Sequence, residues 1–439
     1  LTCCGAQWRA WNQKVAMSLA TLGLSLSLLR ATKEKGYSTA TAIQKELIPA
    51  ILTGRDILAG AQTGSGKTAG YALPILQELA GEYQEDKHYP KALILVPTRE
   101  LARQIYASFK EYGKYLPLKA TVLYGGANLT AQANRLSSGM DIIIATSGRL
   151  LEHVARKNLS LESVHYLVLD EADTTLDMGF IHEISQIFTH LPKRRQNILL
   201  SATLTPALKR LAEEILTKPK LIETDRMGST ATSVQQVVYP VTVEKKEELL
   251  SYLIGSNNYS QVMVFVRKKE LADQLSLLLN DSGLKTQAIH GDKSAGARSR
   301  ALAQFKEGSI RVLVATDIAA RGLDIPSMQV VVNYDIPHVL GDYIHRIGRT
   351  GRAGREGLAI TLNTPEESIA LGDLERLLGK AIPKEILPEY APPKQTNTQK
   401  KSKAKAEIKK TAGAFGRKKS RTPRASKKRK TTKRDGWKR

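Results

Sequence analysis

Short apolar runs recur along this chain and alternate with longer stretches of helical periodicity. Residues 56–60, 92–96, 141–145, 166–169 and 197–200 are the runs of the first half, and 261–266, 312–315, 330–333 and 357–362 are those of the second. Residues 67–79 and 269–279 read as helices between them. Strands alternating with helices predict parallel sheets in an α/β fold. Because the plan occurs twice, two such sheets are predicted, joined near the small polar stretch 225–233.

Length agrees with this division, since 439 residues are too many for one core and the 42% hydrophobic share permits two. Charge changes the picture at one end only. Residues 391–439 carry 20 Lys and Arg against Glu407 and Asp435, a net +18 of the chain's +24. With hardly any large apolar residues, this tail cannot bury enough surface to offset chain entropy, and disorder is predicted. Lys/Arg blocks bind phosphate through counterion release, which makes a nonspecific nucleic-acid tether the leading reading. An inert solubilising tail and a nuclear localisation signal are the alternatives. Cys3 and Cys4 are adjacent and can build neither a disulfide framework nor a zinc site, and the eight histidines show no metal spacing. A reducing cytoplasm fits. Arg9 and Lys14 precede an apolar stretch, 16–29, with the outline of a signal peptide, but no small-residue cleavage site follows and serines interrupt it at helical spacing. No run reaches the length of a membrane-spanning helix.

Chemistry enters with Ala61-Gln-Thr-Gly-Ser-Gly-Lys-Thr68, between the first run and the first helix. Gly64 and Gly66 let backbone N–H groups approach phosphates, Lys67 supplies a point charge, and Thr68 offers a hydroxyl to Mg²⁺. The helix N-terminus faces the same anion. Ala61 stands where the strict pattern has glycine. The second element is Asp170-Glu171-Ala172-Asp173, which an apolar run feeds directly, so its carboxylates sit at a strand's C-terminal end, where ligands of open α/β sheets collect. Asp170 is the candidate Mg²⁺ carboxylate and Glu171 the candidate base for an attacking water. Together these segments predict a nucleoside triphosphatase. Further on, His345-Arg-Ile-Gly-Arg-Thr-Gly-Arg352 interleaves three arginines with glycines. An arginine reaching a γ-phosphate in the transition state is worth roughly 10³ to 10⁵ in rate. The phosphate loop and Glu171 fall in the first half and these arginines in the second, so hydrolysis is predicted to require closure of the two.

Over residues 17–390 the chain resembles the DEAD-box ATP-dependent RNA helicases, most closely the bacterial RhlE-type subgroup. The likeness is carried by motifs in the family's order: Gly36-Tyr37 with Ile43-Gln44, the phosphate loop, Pro97-Thr98-Arg99-Glu100-Leu101, Gly125-Gly126, Thr146-Ser147-Gly148-Arg149, the DEAD segment and Ser201-Ala202-Thr203. The second half adds Val264-Phe265-Val266-Arg267, His290-Gly291-Asp292, Ala315-Thr316-Asp317, Arg321-Gly322-Leu323-Asp324 and the arginine-rich segment.

The resemblance implies two RecA-like parallel-sheet lobes. Its boundaries are an upstream extension at 1–16, an ATP-binding lobe at 17–226, a linker at 227–234, a C-terminal lobe at 235–390 and the basic tail at 391–439, which under this resemblance becomes an RNA tether. Tyr37 and Gln44 would read adenine, Lys67, Thr68, Asp170 and Glu171 would handle phosphates, Mg²⁺ and water, and Asp324 would touch ribose. Arg349 and Arg352 would be arginine fingers. Ser201, Thr203, Asp173 and His345 would couple nucleotide to RNA. Thr98, Arg99, Gly126, Thr146, Arg149, Gly291, Thr316 and Arg321 would contact RNA, mostly at sugar and phosphate, which positions a strand without reading its sequence.

The implied activity is RNA-stimulated ATP hydrolysis that unwinds short duplexes locally or remodels RNA–protein complexes. Ribosomal-assembly or RNA-decay proteins are the implied partners. An ATP-gated RNA clamp with little unwinding and a DNA-directed motor are the alternatives. Several family positions differ. Ala40 and Ala42 replace prolines, Leu19 matches the upstream aromatic, Ser147 replaces a proline, Ala295 replaces a glutamine, and Gly341 holds a commonly acidic place. Losing a proline costs about 0.4 to 1 kcal/mol and losing an aromatic contact about 0.5 to 1.5 kcal/mol. ATP affinity is the property most exposed to these changes.

Overall fold

The computed structural model describes residues 18–37, 39–61, 64–83, 89–224, 234–321, 325, 328–351 and 357–393. The predicted extension at 1–16, Asp324, Arg352 and almost all of the basic tail lie outside the described residues, as does most of the linker.

Seven strands form the first sheet: β1 (Ile57–Gly60), β2 (Ala92–Leu95), β3 (Ala120–Leu123), β4 (Ile142–Ala145), β5 (Tyr166–Leu169), β6 (Gln196–Ser201) and β7 (Lys220–Glu223). Their order is β3-β4-β2-β5-β6-β1-β7, with parallel pairing throughout. Six strands form the second: β8 (Val234–Pro240), β9 (Val262–Val266), β10 (Thr286–Ile289), β11 (Val312–Thr316), β12 (Val330–Asn333) and β13 (Gly357–Asn363). Here the order is β10-β11-β9-β12-β13-β8, again all parallel.

Helices cover both faces of each sheet, which is why the central strands are apolar along most of their length, as in Ile142–Ala145 and Val262–Val266. In the first sheet Ile94, Ile144, Val168, Ile198 and Leu200 enter one core. Leu93, Leu95, Ile143, Leu167 and Leu199 enter the other. This is the period-2 alternation of a strand, with oil on both sides. The second sheet repeats it, sending Val262, Val264, Val312 and Val314 to one face and Met263, Phe265, Leu313 and Ala315 to the other.

The apolar stretch near the N-terminus belongs to this architecture. Leu19, Leu22, Leu24 and Leu28 are buried in the first lobe's core, and Leu26–Glu34 is an amphipathic helix. Among the described residues, no helix is long and apolar enough to cross a membrane.

Parallel strands present all their carboxyl ends at one edge of a sheet; the phosphate loop, Thr98, Thr146 and Asp170 in the first lobe and Gly291 and Thr316 in the second lie at or just beyond such ends, whereas Tyr37 and Gln44 precede β1. The two lobes meet across these edges. Arg298, on the helix Ala295–Lys306, donates to Glu100 at 2.6 Å, and Arg321 reaches Asp177 at 3.4 Å.

Candidate active site

The phosphate loop leaves β1 and enters the helix Lys67–Gly81 through Gly66, whose φ of 94° lies in the left-handed region. A side chain there would be strained, and its Cβ would also sit 2.6 Å from Gln44 Nε2. That close neighbour is specific. Gln44 Nε2 donates to the Gly66 carbonyl at 3.2 Å, while its Oε1 accepts from the Thr41 N–H at 3.0 Å. The latter bond is half of a capping box that starts the helix Ala42–Leu52. The box fixes the entry turn although Ala40 and Ala42 stand in place of prolines. Gly64 also has positive φ, at 86°. Lys67 is buried and donates its ammonium to the Ala61 carbonyl, back across the loop. Tyr37 keeps 38% of its surface exposed, and its ring lies 6.3 Å from that of Tyr112. Leu19 is 3% exposed and contributes to the core.

The carboxylates follow β5 directly. Asp170 is almost fully buried. Its Oδ1 accepts the Glu171 N–H at 2.9 Å and its Oδ2 accepts the Tyr71 hydroxyl at 3.0 Å. Burial raises its pKa, and the Lys67 charge and these two hydrogen bonds oppose that rise without cancelling it. Glu171 has φ 50° and ψ 50°, a left-handed conformation that a non-glycine residue adopts at a cost of about 1 to 3 kcal/mol. Burial and the neighbouring Asp170 push its carboxyl upward, against the charges of Arg349 and His345.

Asp173 collects the Ser-Ala-Thr segment at the end of β6. Its Oδ2 accepts from the Ala202 N–H at 3.2 Å, the Thr203 N–H at 2.8 Å and the Thr203 hydroxyl at 2.8 Å. Ser201 donates its hydroxyl to the Thr203 carbonyl at 2.6 Å. From the second lobe, His345 Nε2 stands 3.5 Å from the same Asp173 oxygen. Burial works against both charges, but their mutual attraction wins. Asp173 is held well below the usual carboxylate range, and His345 is raised above the usual imidazole value.

His345 rides on the helix Leu340–Ile347, which delivers the arginine-rich segment to the cleft. Arg349 is 3% exposed and close enough to Glu171 for its charge to act there. Arg346 plays another part. It is 1% exposed, pairs with both oxygens of Asp317, and donates to Asn333 Oδ1 at 3.2 Å and to the Asp335 carbonyl at 2.6 Å. It braces the second lobe from inside.

The residues predicted to touch RNA fall into two groups. Thr98 caps the helix Arg99–Tyr112 after β2 with its hydroxyl, Gly126 lies in a turn after β3, and Thr146 immediately precedes the helix Ser147–Ala155 after β4 without a side-chain cap. Arg99 Nη1 lies 3.2 Å from where a Gly126 Cβ would be. Arg149 donates to the Ala127 carbonyl at 3.0 Å and pairs with Glu152 at 3.0 Å. In the second lobe, Gly291 follows β10, Thr316 ends β11, and Arg321 pairs with Asp342 as well as Asp177. Gly341 has no carboxylate to offer; Asp342, beside it, supplies one. The guanidinium of Arg321 is therefore engaged by carboxylates of both lobes in this structure.

Sequence reasoning assigned no role to Glu100, Asp177 or Asp342. Each is an acid whose partner is distant in the chain, so no local spacing announces it. Tyr71 was also missed, although its place three residues after Thr68 puts it on the same helix face.

Residues 41–211 match the family described as DEAD/DEAH box helicase, and residues 244–354 match the helicase conserved C-terminal domain. The DEAD-box ATP-dependent RNA helicase CshA of Bacillus cereus is 42% identical over 355 residues, covering 81% of this chain and 67% of that protein. The protein of the same name from Geobacillus kaustophilus is 40% identical over 355 residues, covering 81% of this chain and 75% of that one. Among solved structures, S. cerevisiae Dbp5 bound to RNA and ADP BeF3 is 30% identical, with a TM-score of 0.76 over 90% of this chain and 99% of that chain.

Proposed function

This chain belongs to the DEAD-box family of RNA helicases and is an RNA-dependent ATPase; on that premise we propose that the meeting of the two lobes at Asp173 and Glu171 is what RNA licenses and ATP drives. The observation that carries the reading is the 3.5 Å approach of His345, on the second lobe, to Asp173, on the first. That approach brings the helix leading to Arg349 against the carboxylate edge. Tyr37 and Gln44 hold adenine, and Lys67 with the backbone of Gly64 and Gly66 holds phosphates. Arg349 compensates charge that develops during transfer, and Arg352 and Asp324 are proposed for the same site on sequence grounds alone. Glu171 orients and deprotonates water.

The donor set fits a hard divalent cation, since Asp170 and Thr68 offer only oxygen ligands and the Asp170 carboxylate is buried. They would hold Mg²⁺ beside the nucleotide, where the ion neutralises phosphate charge.

Arg99, Gly126, Thr98, Thr146 and Arg149 then form one wall of an RNA path, and Gly291, Thr316 and Arg321 the other. Closure grips one strand across both and separates it locally from its partner. The domain boundaries given above, a cytoplasmic location, assistance to ribosome assembly or RNA decay, and the RhlE-type affinity within the family belong to this proposal. The bacterial relatives at 40 to 42% identity are CshA helicases, which supports a CshA-like reading more directly than that subgroup. The test is ATP turnover with and without single-stranded RNA, run beside displacement of a short RNA duplex. Turnover and displacement that rise together support helicase action, and turnover without displacement favours the clamp.

A further inference from the structure

Tyr71 stands at the centre of the nucleotide half with no role in the motifs. It is fully buried, with its ring 6.2 Å from that of Phe109, so packing alone accounts for an aromatic residue. Packing does not account for the hydroxyl. That group points at Asp170 Oδ2, 3.0 Å away. The phenol thus touches the buried carboxylate assigned to the divalent cation. A tyrosine hydroxyl donates and a carboxylate oxygen only accepts, so the direction of the bond is fixed. Asp170 is consequently held at both oxygens, by the Glu171 N–H on one and by Tyr71 on the other. Each oxygen retains a lone pair.

We infer that Tyr71 is a positioning residue for the metal–nucleotide site: its hydroxyl locks the rotation of the Asp170 carboxylate, so that this donor keeps one orientation toward the divalent cation. The inference rests on the reading that Asp170 and Thr68 hold Mg²⁺. A phenylalanine would fill the same space and leave the carboxylate free to turn. Outer partners of metal ligands are typically worth 10- to 100-fold in metal affinity, and a single hydroxyl acting on one of two donors belongs at the low end.

The experiment uses the full chain and a fluorescent non-hydrolysable ATP analogue, with binding measured in EDTA and across a Mg²⁺ titration. Wild type, Tyr71→Phe and the packing control Phe109→Leu are compared, with Tm recorded for each. Tyr71→Phe is expected to raise the Mg²⁺ concentration for half-maximal binding by about 10-fold while leaving affinity in EDTA unchanged. Phe109→Leu is expected to lower Tm and keep the wild-type Mg²⁺ response. A Tyr71→Phe titration that superimposes on wild type, or an equal loss with and without Mg²⁺, overturns the inference. If wild type itself gains nothing from Mg²⁺, the assignment of Asp170 and Thr68 fails, and the role of Tyr71 falls with it.

Discussion

Arg298 and Glu100 are 198 positions apart in the chain and form an ion pair of 2.6 Å between the lobes. Glu100 also holds the neighbouring Arg99 at 3.1 Å, so one carboxylate joins the second lobe to an arginine of the proposed RNA path. The pair is partly buried, and a hydrogen bond between charged groups is worth about 1.5 to 3 kcal/mol. Allowing for residual solvent, Arg298→Glu is expected to lower RNA-stimulated ATPase roughly 5- to 30-fold, with ATP affinity without RNA unchanged. Adding Glu100→Arg should restore part of the loss. Losses that simply add in the double variant would mean that the pair does not stabilise closure.

Glu171→Gln is expected to retain ATP and RNA binding and to lose turnover. The amide occupies the same space but cannot take a proton from water. Binding assays with labelled RNA and a nonhydrolysable ATP analogue, beside phosphate release, separate the two effects. Normal phosphate release would remove Glu171 from the role of base.

His345 supplies a pH signature. Its pKa is raised in the closed arrangement by Asp173, despite burial, above an ordinary value of about 6.5. The stabilisation is therefore complete below about pH 6.5 and is lost as pH rises through the raised closed-state value. Asp173 is held below the usual carboxylate range, so its own titration falls in acid and leaves this window clear. The RNA-stimulated kcat/KM of wild type should decline on the alkaline side, and His345→Gln should start about 10-fold lower near pH 6.5 and lack that decline. An identical alkaline limb in the variant would assign the decline to another group.

How far the fold could be read from the sequence depended on where each strand lies. The nine apolar runs correspond to the nine interior strands, to within a residue or so at each end. The four strands with no such run, β3, β7, β8 and β10, are the outer strands of the two sheets. An outer strand has a full strand neighbour on one side only and is less covered, so it carries polar residues such as Lys220 and Glu223 in β7 or the exposed Gln235 in β8. Its pattern is not a continuous apolar run. The candidate nucleotide site was legible for a related reason. A phosphate loop and a strand-end carboxylate are local constellations, whereas Arg321 with Asp177, and Arg298 with Glu100, exist only once two lobes face each other.

Residues 391–439 carry a net +18 and none of the nucleotide motifs. Their removal is expected to weaken RNA binding most at low salt and to make the slope of log affinity against log salt shallower, since fewer phosphates are neutralised. The maximal ATPase rate at saturating RNA should hardly change. An unaltered salt slope, or loss of ATPase even at saturating RNA, would argue against a tether.

Arg349 lies on one lobe and Glu171 on the other, and in this structure the Arg349 charge acts on the Glu171 carboxyl across the lobe boundary. The most direct measurement of that action is kcat of Arg349→Ala at saturating ATP and RNA. A fall of about 10³-fold or more with ATP and RNA binding intact is expected if the second lobe completes the active site by closure. A kcat equal to that of wild type would contradict it, and would mean that the first lobe hydrolyses ATP without the second.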